Sequence, residues 1–209
     1  MGLVDQLFSR PAHVWAYLGL LLLVAIPVHE FAHAIVARWS GDPTPDRQGR
    51  VTIDPLKHLD PLGTLLIILG VFGWGRPVPV NPANFRSPRW GLVLVSAAGP
   101  AANILLAALV GIVGFRLGLL DGVGMGYRAM AQGFIWMNLG LAFFNLIPVP
   151  PLDGSKVLLG LLPAGSALRL ARYYDRFGLL LLLLLLITGS VGRLVIPPVE
   201  AAMRVLVGW

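Results

Sequence analysis

The chain has 209 residues, 56% of them hydrophobic and 12% charged, with a mean hydropathy of +0.78 and a formal net charge of +6. A soluble domain carries about 25% charged residues, so this composition excludes a water-soluble globular protein and predicts a single integral-membrane domain over 1–209, without internal repeats. The absence of cysteine excludes disulfides and thiolate ligands, leaving His, Asp and Glu to hold any metal, and the basic excess reads as loops facing the cytoplasm and anionic lipid, not as a nucleic-acid surface.

Residues 1–12 read as a short amphipathic lead-in. Val14–Trp39 is the first predicted span, long enough at about 39 Å to cross a bilayer. No small-residue cleavage site precedes its histidines, which sets it apart from a signal peptide. Within it lies His29-Glu30-Phe31-Ala32-His33. That spacing places two imidazoles one turn apart on one helix face, where both can bind one zinc ion. Glu30 stands beside them, placed to take a proton from the attacking water. Two histidines and a glutamate are costly in hydrocarbon unless they pair or bind metal; the plainer alternative is hydrogen bonding to other helices. Pro27, two residues before His29, predicts a kink.

Ser40–Asp60 is polar and turn-rich. Pro61–Gly75 is apolar but too short to span and carries four glycines. With Val51-Thr52-Ile53 and Arg76–Val80 it predicts a small β-hairpin or a re-entrant segment. His58 in this stretch reads as a turn-capping residue with a second option of reaching the site. Trp90–Leu117 is the second span and holds the small-residue cluster Ser96–Ala102, which allows close helix approach. Asn103, next in sequence, divides evenly between helix packing and support of the site. Tyr127–Ile147 is the third span; its Asn138 reads as a bridge between helices. Pro150-Pro151-Leu152-Asp153-Gly154 is a rigid turn whose aspartate caps the next helix or, well held by the prolines, ligates metal. Gly178–Val191 is the Leu-rich core of a fourth span, and the tail Ile196–Trp209, opening on Pro197-Pro198, reads as interfacial with Trp209 as an anchor.

The predicted fold is therefore an all-α polytopic membrane protein with about four transmembrane helices, a short re-entrant or β-hairpin segment and interfacial helices. The catalytic core covers about 14–165, and the C-terminal span and interfacial tail cover 178–209. A zinc site needs a third protein ligand besides His29 and His33. For Asp153 to be that ligand, the chain must cross only three times before it, counting the first span, which requires Pro61–Gly75 not to span. Eleven of the 16 Lys and Arg then fall on the face of the site, Arg38 through Arg89 and Lys156 through Arg176, which places it on the cytoplasmic side of the cell membrane.

Taken together, H-E-x-x-H in a hydrophobic helix, Gly99-Pro100-Ala101-Ala102-Asn103 and Asn145-Leu-Ile-Pro148-Val-Pro150-Pro151-Leu-Asp153-Gly154 resemble the site-2 protease family, the intramembrane zinc metalloproteases of peptidase family M50. Gly49–His58, Asp60–Thr64 and Arg76–Pro82 are also similar, and the resemblance is to the short bacterial branch without PDZ or CBS domains. Ser155 departs from the second glycine that many relatives carry. The resemblance implies one zinc per chain held by His29, His33 and Asp153, with Glu30 as catalytic base. It further implies that Asn145 holds substrate or stabilises the oxyanion, and that the substrates are transmembrane proteins in a lipid bilayer. The activity expected is intramembrane proteolysis of single-span proteins near the cytoplasmic face. The alternatives are a proteolytically idle zinc-binding protein that binds transmembrane segments, against which the intact Glu30 argues, and a metal transporter, against which the lack of ionisable residues inside 92–115 and 129–147 argues.

Overall fold

The computed structural model describes residues 11–70 and 73–208. Two helices in it are long and apolar enough to cross a membrane: α1, Ala12–Trp39, and a second, Pro88–Arg116. Between them come three short helices, α2 (Thr44–Arg47), α3 (Pro55–His58) and α4 (Pro61–Leu69), so that Pro88–Arg116 is α5. Then follow α6 (Met125–Asn145), α7 (Asp153–Leu161), α8 (Ala164–Ile187) and α9 (Ser190–Val207). Helices α8 and α9 are bent by 73° at their junction and count as a third span only if taken as one. Length and apolarity thus support two or three of the four spans expected. Helix α6 is long enough to cross but carries Arg128, Gln132, Asn138 and Asn145.

Helix α1 runs through Pro27 without a break. A π turn, Leu21–Ala25, lies just ahead of it, closed by the Ile26 amide on the Leu21 carbonyl. Such a turn absorbs the donor that proline lacks. Helix α5 forms the centre. Its small residues Gly99 and Ala107 are buried and let α1 and α6 approach closely. Ala107 joins Ile135 and Leu139 of α6 and Val199 and Met203 of α9 in the principal core. A second cluster, Ile147, Leu152 and Leu182, holds the proline turn that leads into α7. Leu179, Leu180, Leu183 and Leu184 of α8 point outward, as a lipid-facing surface does.

Of the two alternatives expected around 51–80, the structure excludes the hairpin, and it redraws the last element. No hairpin forms in 51–80: among the described residues there is no strand, only an isolated bridge between Leu59 and Gly75. Pro77 and Pro79 remove alternate amide donors, and a ladder cannot extend through them. The apolar stretch is instead the nine-residue helix α4, about 14 Å long and too short to span. It starts with the Asp60 carboxylate accepting from the Gly63 amide and stops at Gly70, whose φ of 80° is left-handed. The tail from Ile196 is not a separate element. It is the body of α9, with Val199 and Met203 buried one turn apart. Near the end of α9 the Arg116 guanidinium donates to the carbonyls of Arg204 and Val205. The lead-in over 1–10, residues 71–72 of Pro61–Gly75, and the anchor Trp209 lie outside the described residues.

Candidate metal centre

Helical periodicity brings His29 and His33 onto the face of α1 that meets α5, both buried. Their Nε2 atoms stand 3.1 Å apart. The proline turn carries Asp153 to the same point as the first residue of α7. Its Oδ2 lies 3.2 Å from His29 Nε2 and 3.1 Å from His33 Nε2. Three ligand atoms from opposite ends of the sequence thus form a nearly equilateral triangle.

The hydrogen bonds behind these atoms decide what the triangle can hold. His29 Nδ1 faces Asn103 Oδ1 at 2.6 Å, and His33 Nδ1 faces the Val95 carbonyl at 2.6 Å. Both partners are acceptors, so both Nδ1 atoms carry the hydrogen. In the neutral rings each Nε2 then presents a lone pair, aimed at the other and at a carboxylate oxygen. Three electron pairs converging without a donor call for a cation. Two nitrogens and one oxygen about 3.1–3.2 Å apart are within a few tenths of an ångström of the ligand spacing of a tetrahedral zinc ion. Gly99 completes the cradle: a Cβ there would lie 2.6 Å from His29 Nε2 and closer still to His33 Nε2.

Glu30 projects from the same turn of α1, and its Oε2 accepts the Val78 amide at 3.1 Å. Between the two prolines that flank it, Val78 is the one residue of 77–79 able to donate. Two other groups hold this extended stretch in place. The Arg76 amide donates to the His58 carbonyl at 2.7 Å, and the Arg50 guanidinium, itself buried, donates to the carbonyls of Pro77 (3.2 Å) and Arg76. His58 Nε2 donates to the Thr52 carbonyl at 2.6 Å, which leaves its Nδ1 facing Arg50 Nη2 at 3.5 Å. Burial, with Arg50 nearby, pushes the His58 imidazole below its ordinary range, so it is the neutral ring that packs here.

Of the residues singled out from sequence, His29, His33 and Asp153 meet directly, Asn103 joins them through His29, and Glu30 turns toward 75–78. His58 is not part of the triangle; it supports Arg50. The Asn145 amide donates to the Leu141 carbonyl of its own helix at 2.9 Å, not to the triangle. Sequence reasoning missed three contributors. Arg50 was legible only as a basic loop residue. Gly99 was legible as a packing glycine but not as the wall of the cradle. Asp42, fully buried, accepts from Thr44, the Asn81 amide and Asn84, and so fixes the loop that follows the extended stretch. Asp42-Pro43-Thr44 is an Asx-turn pattern that signals this bond two residues on.

Comparison with known proteins points the same way. The model of Peptidase family M50 matches residues 121–187, which include Asp153. YwhC of Bacillus subtilis (strain 168), a proposed zinc metalloprotease, is 39% identical over 206 residues, covering 96% of this chain and 93% of that protein. Rip2 of Mycolicibacterium smegmatis, also a proposed zinc metalloprotease, is 30% identical over 85% of this chain and 71% of its own length. The zinc metalloprotease MJ0392 of Methanocaldococcus jannaschii is 26% identical over 71% of this chain and 35% of its own. No solved structure matches the chain.

Proposed function

The chain belongs to peptidase family M50, the site-2 proteases, and from that premise we propose that it is an intramembrane zinc endopeptidase that cuts single-span membrane proteins near the cytoplasmic face. The observation that carries this reading is the convergence of the His29, His33 and Asp153 lone pairs inside an apolar helix bundle. The triangle sits about 9–15 Å from the Trp39 end of α1, within reach of one membrane surface but inside the span.

His29, His33 and Asp153 hold the zinc. Bound there, zinc supplies Lewis acidity toward water and toward the scissile carbonyl. The Glu30 carboxylate takes the proton of the attacking water and returns it to the leaving amine. The Asn145 side chain, at the C-terminal end of α6, donates to the developing oxyanion after releasing Leu141. A substrate helix must unwind before its backbone reaches this point, and the stretch 76–80, held open by Arg50, is where its extended chain lies. The cytoplasmic orientation rests on the distribution of basic residues, 11 of 16 being on the loops and helices at the end of the triangle.

The test is cleavage of an end-labelled single-span peptide by the purified protein in liposomes. Wild type is expected to cut it and a chelator to stop it, whereas Glu30→Gln is expected to bind zinc normally and to lose about 10²-fold or more in rate. A zinc-loaded Glu30→Gln protein that cuts at the wild-type rate overturns the assignment of the base.

A further inference from the structure

Behind His29 runs a chain of buried amides that the proposed chemistry does not use. Asn103 lies four residues after Gly99 on α5, so both face α1. Its Oδ1 accepts from His29 Nδ1. Its Nδ2 donates both hydrogens, to the Ala25 carbonyl at 3.1 Å and to Asn138 Oδ1 at 2.9 Å. Asn138 in turn donates from Nδ2 to the Phe134 carbonyl of its own helix at 2.9 Å. Both asparagines have no exposed surface. Two backbone carbonyls determine the direction of the chain: that of Ala25, which takes the Asn103 nitrogen, and that of Phe134 at the far end. The Phe134 carbonyl accepts only, so Asn138 must turn its nitrogen there and its oxygen to Asn103. Asn103 turns its nitrogen to the Ala25 carbonyl and to Asn138 together, and its oxygen to His29.

We infer that Asn138 is a positioning residue for the metal centre, acting through Asn103 to hold His29 as the tautomer whose Nε2 lone pair faces the ion. The inference rests on the zinc reading of the triangle. Its physical basis is that a ligating histidine is oriented by whatever its other ring nitrogen bonds, and that loss of such a partner costs about 10–100-fold in metal affinity. The two histidines differ here. His33 is oriented by a backbone carbonyl, which no side-chain substitution removes. His29 depends on the Asn103 side chain, whose amide nitrogen is held by the Ala25 carbonyl and by Asn138 of α6 together. Helix α6 thereby contributes to the orientation of a ligand on α1, through a contact that would otherwise serve only to join helices.

The chemistry of the conservative variant separates positioning from packing. A neutral aspartic acid at 138 keeps a carbonyl oxygen for Asn103 and a hydroxyl for Phe134, so Asn138→Asp reproduces both bonds where Asn138→Leu keeps only the volume. The measurement is the zinc dissociation constant of the purified full-length protein by chelator competition, with the visible spectrum of the Co²⁺-substituted form and the melting temperature of the metal-free form alongside. Asn103→Leu is expected to weaken zinc about 10–100-fold, Asn138→Leu to weaken it by more than about threefold but less than Asn103→Leu and to alter the Co²⁺ bands, Asn138→Asp to remain within about threefold of wild type, and Asn103→Leu with Asn138→Leu to be no weaker than Asn103→Leu alone, since both act through one bond to His29. A zinc constant and Co²⁺ spectrum unchanged in Asn138→Leu overturn the inference while leaving the zinc reading intact. Equal weakening in Asn138→Asp and Asn138→Leu overturns it as well and assigns Asn138 to packing. A wild-type protein that binds no zinc overturns both.

Discussion

Gly99→Ala is the substitution whose sign most sharply tests the geometry of the cradle. At an ordinary position inside a helix, glycine to alanine stabilises by about 0.5–1 kcal/mol, because the unfolded chain loses freedom and the helix gains propensity. At Gly99 the added carbon would sit 2.6 Å from His29 Nε2 and 2.7 Å from His29 Cε1, and nearer still to His33 Nε2. Ordinary contact begins at about 3.4 Å, so the His29 ring must retreat by about 0.8 Å and the His33 ring by more. A metal site tolerates ligand shifts of about 0.2 Å. Without the metal the rings can turn away, so the metal-free protein should melt near or slightly above wild type. With the metal they cannot, and overpacking of about 1–3 kcal/mol falls entirely on the loaded state. That corresponds to a loss of about 5–150-fold in zinc affinity. The assay is chelator competition for zinc on the purified protein, with thermal melting of the metal-free form. Wild-type zinc affinity in Gly99→Ala would refute the placement of both imidazoles against α5.

Arg50→Met removes the two bonds that hold the carbonyls of Arg76 and Pro77; it should leave zinc content unchanged and lower kcat/KM on the single-span peptide by about 10²-fold, as misplacement of substrate by an ångström does. Unchanged kcat/KM would show that the stretch 76–80 does not position substrate. Asp42→Ala leaves the Asn81 amide and the Thr44 and Asn84 donors without their shared acceptor, and the melting temperature should fall, with a cost on the order of 3 kcal/mol. Burial would raise the Asp42 carboxyl, but the hydrogen bonds from Asn84, Thr44 and Asn81 outweigh it and hold it below its ordinary range. A carboxyl lowered on folding contributes stability above its unfolded pKa of about 3.9. That contribution is lost as the pH falls through the lower folded value. Acid melting curves of wild type and Asp42→Ala should therefore converge below about pH 4; a constant gap down to pH 2 would refute this account of the loop.

The parts of the centre that were legible in sequence are those that short-range geometry determines. His29 and His33 share a face because four residues make one turn, and their cost in hydrocarbon made them informative. Asp153 became legible only in company with them, since a proline turn before an aspartate serves equally well as a cap. The contacts that were not legible all depend on helix docking. Val78 reaches Glu30 because Pro77 and Pro79 leave it the available donor, but no periodicity says that residues 48 apart in sequence meet. The same holds for Arg50 with 76–77 and for Asn138 with Asn103. The start of the last helix was misread for a different reason. Pro197-Pro198 signals a helix end in water, yet Val199 and Met203, one turn apart, find a buried seat against Ile135 and Leu139 of α6. Burial of that face outweighs the missing donors, which is how proline is tolerated among packed membrane helices. The expected hairpin failed because the β-like composition of 76–80 was counted without its prolines.

The central claim, a zinc ion held by His29, His33 and Asp153, is tested most directly by the zinc-to-chain ratio of the purified protein, wild type beside Asp153→Ala, after loading with zinc and removal of the excess. The account predicts about one zinc per wild-type chain and a sharp loss in the variant. A wild-type chain that emerges without zinc, or an Asp153→Ala chain that keeps it in full, contradicts the account.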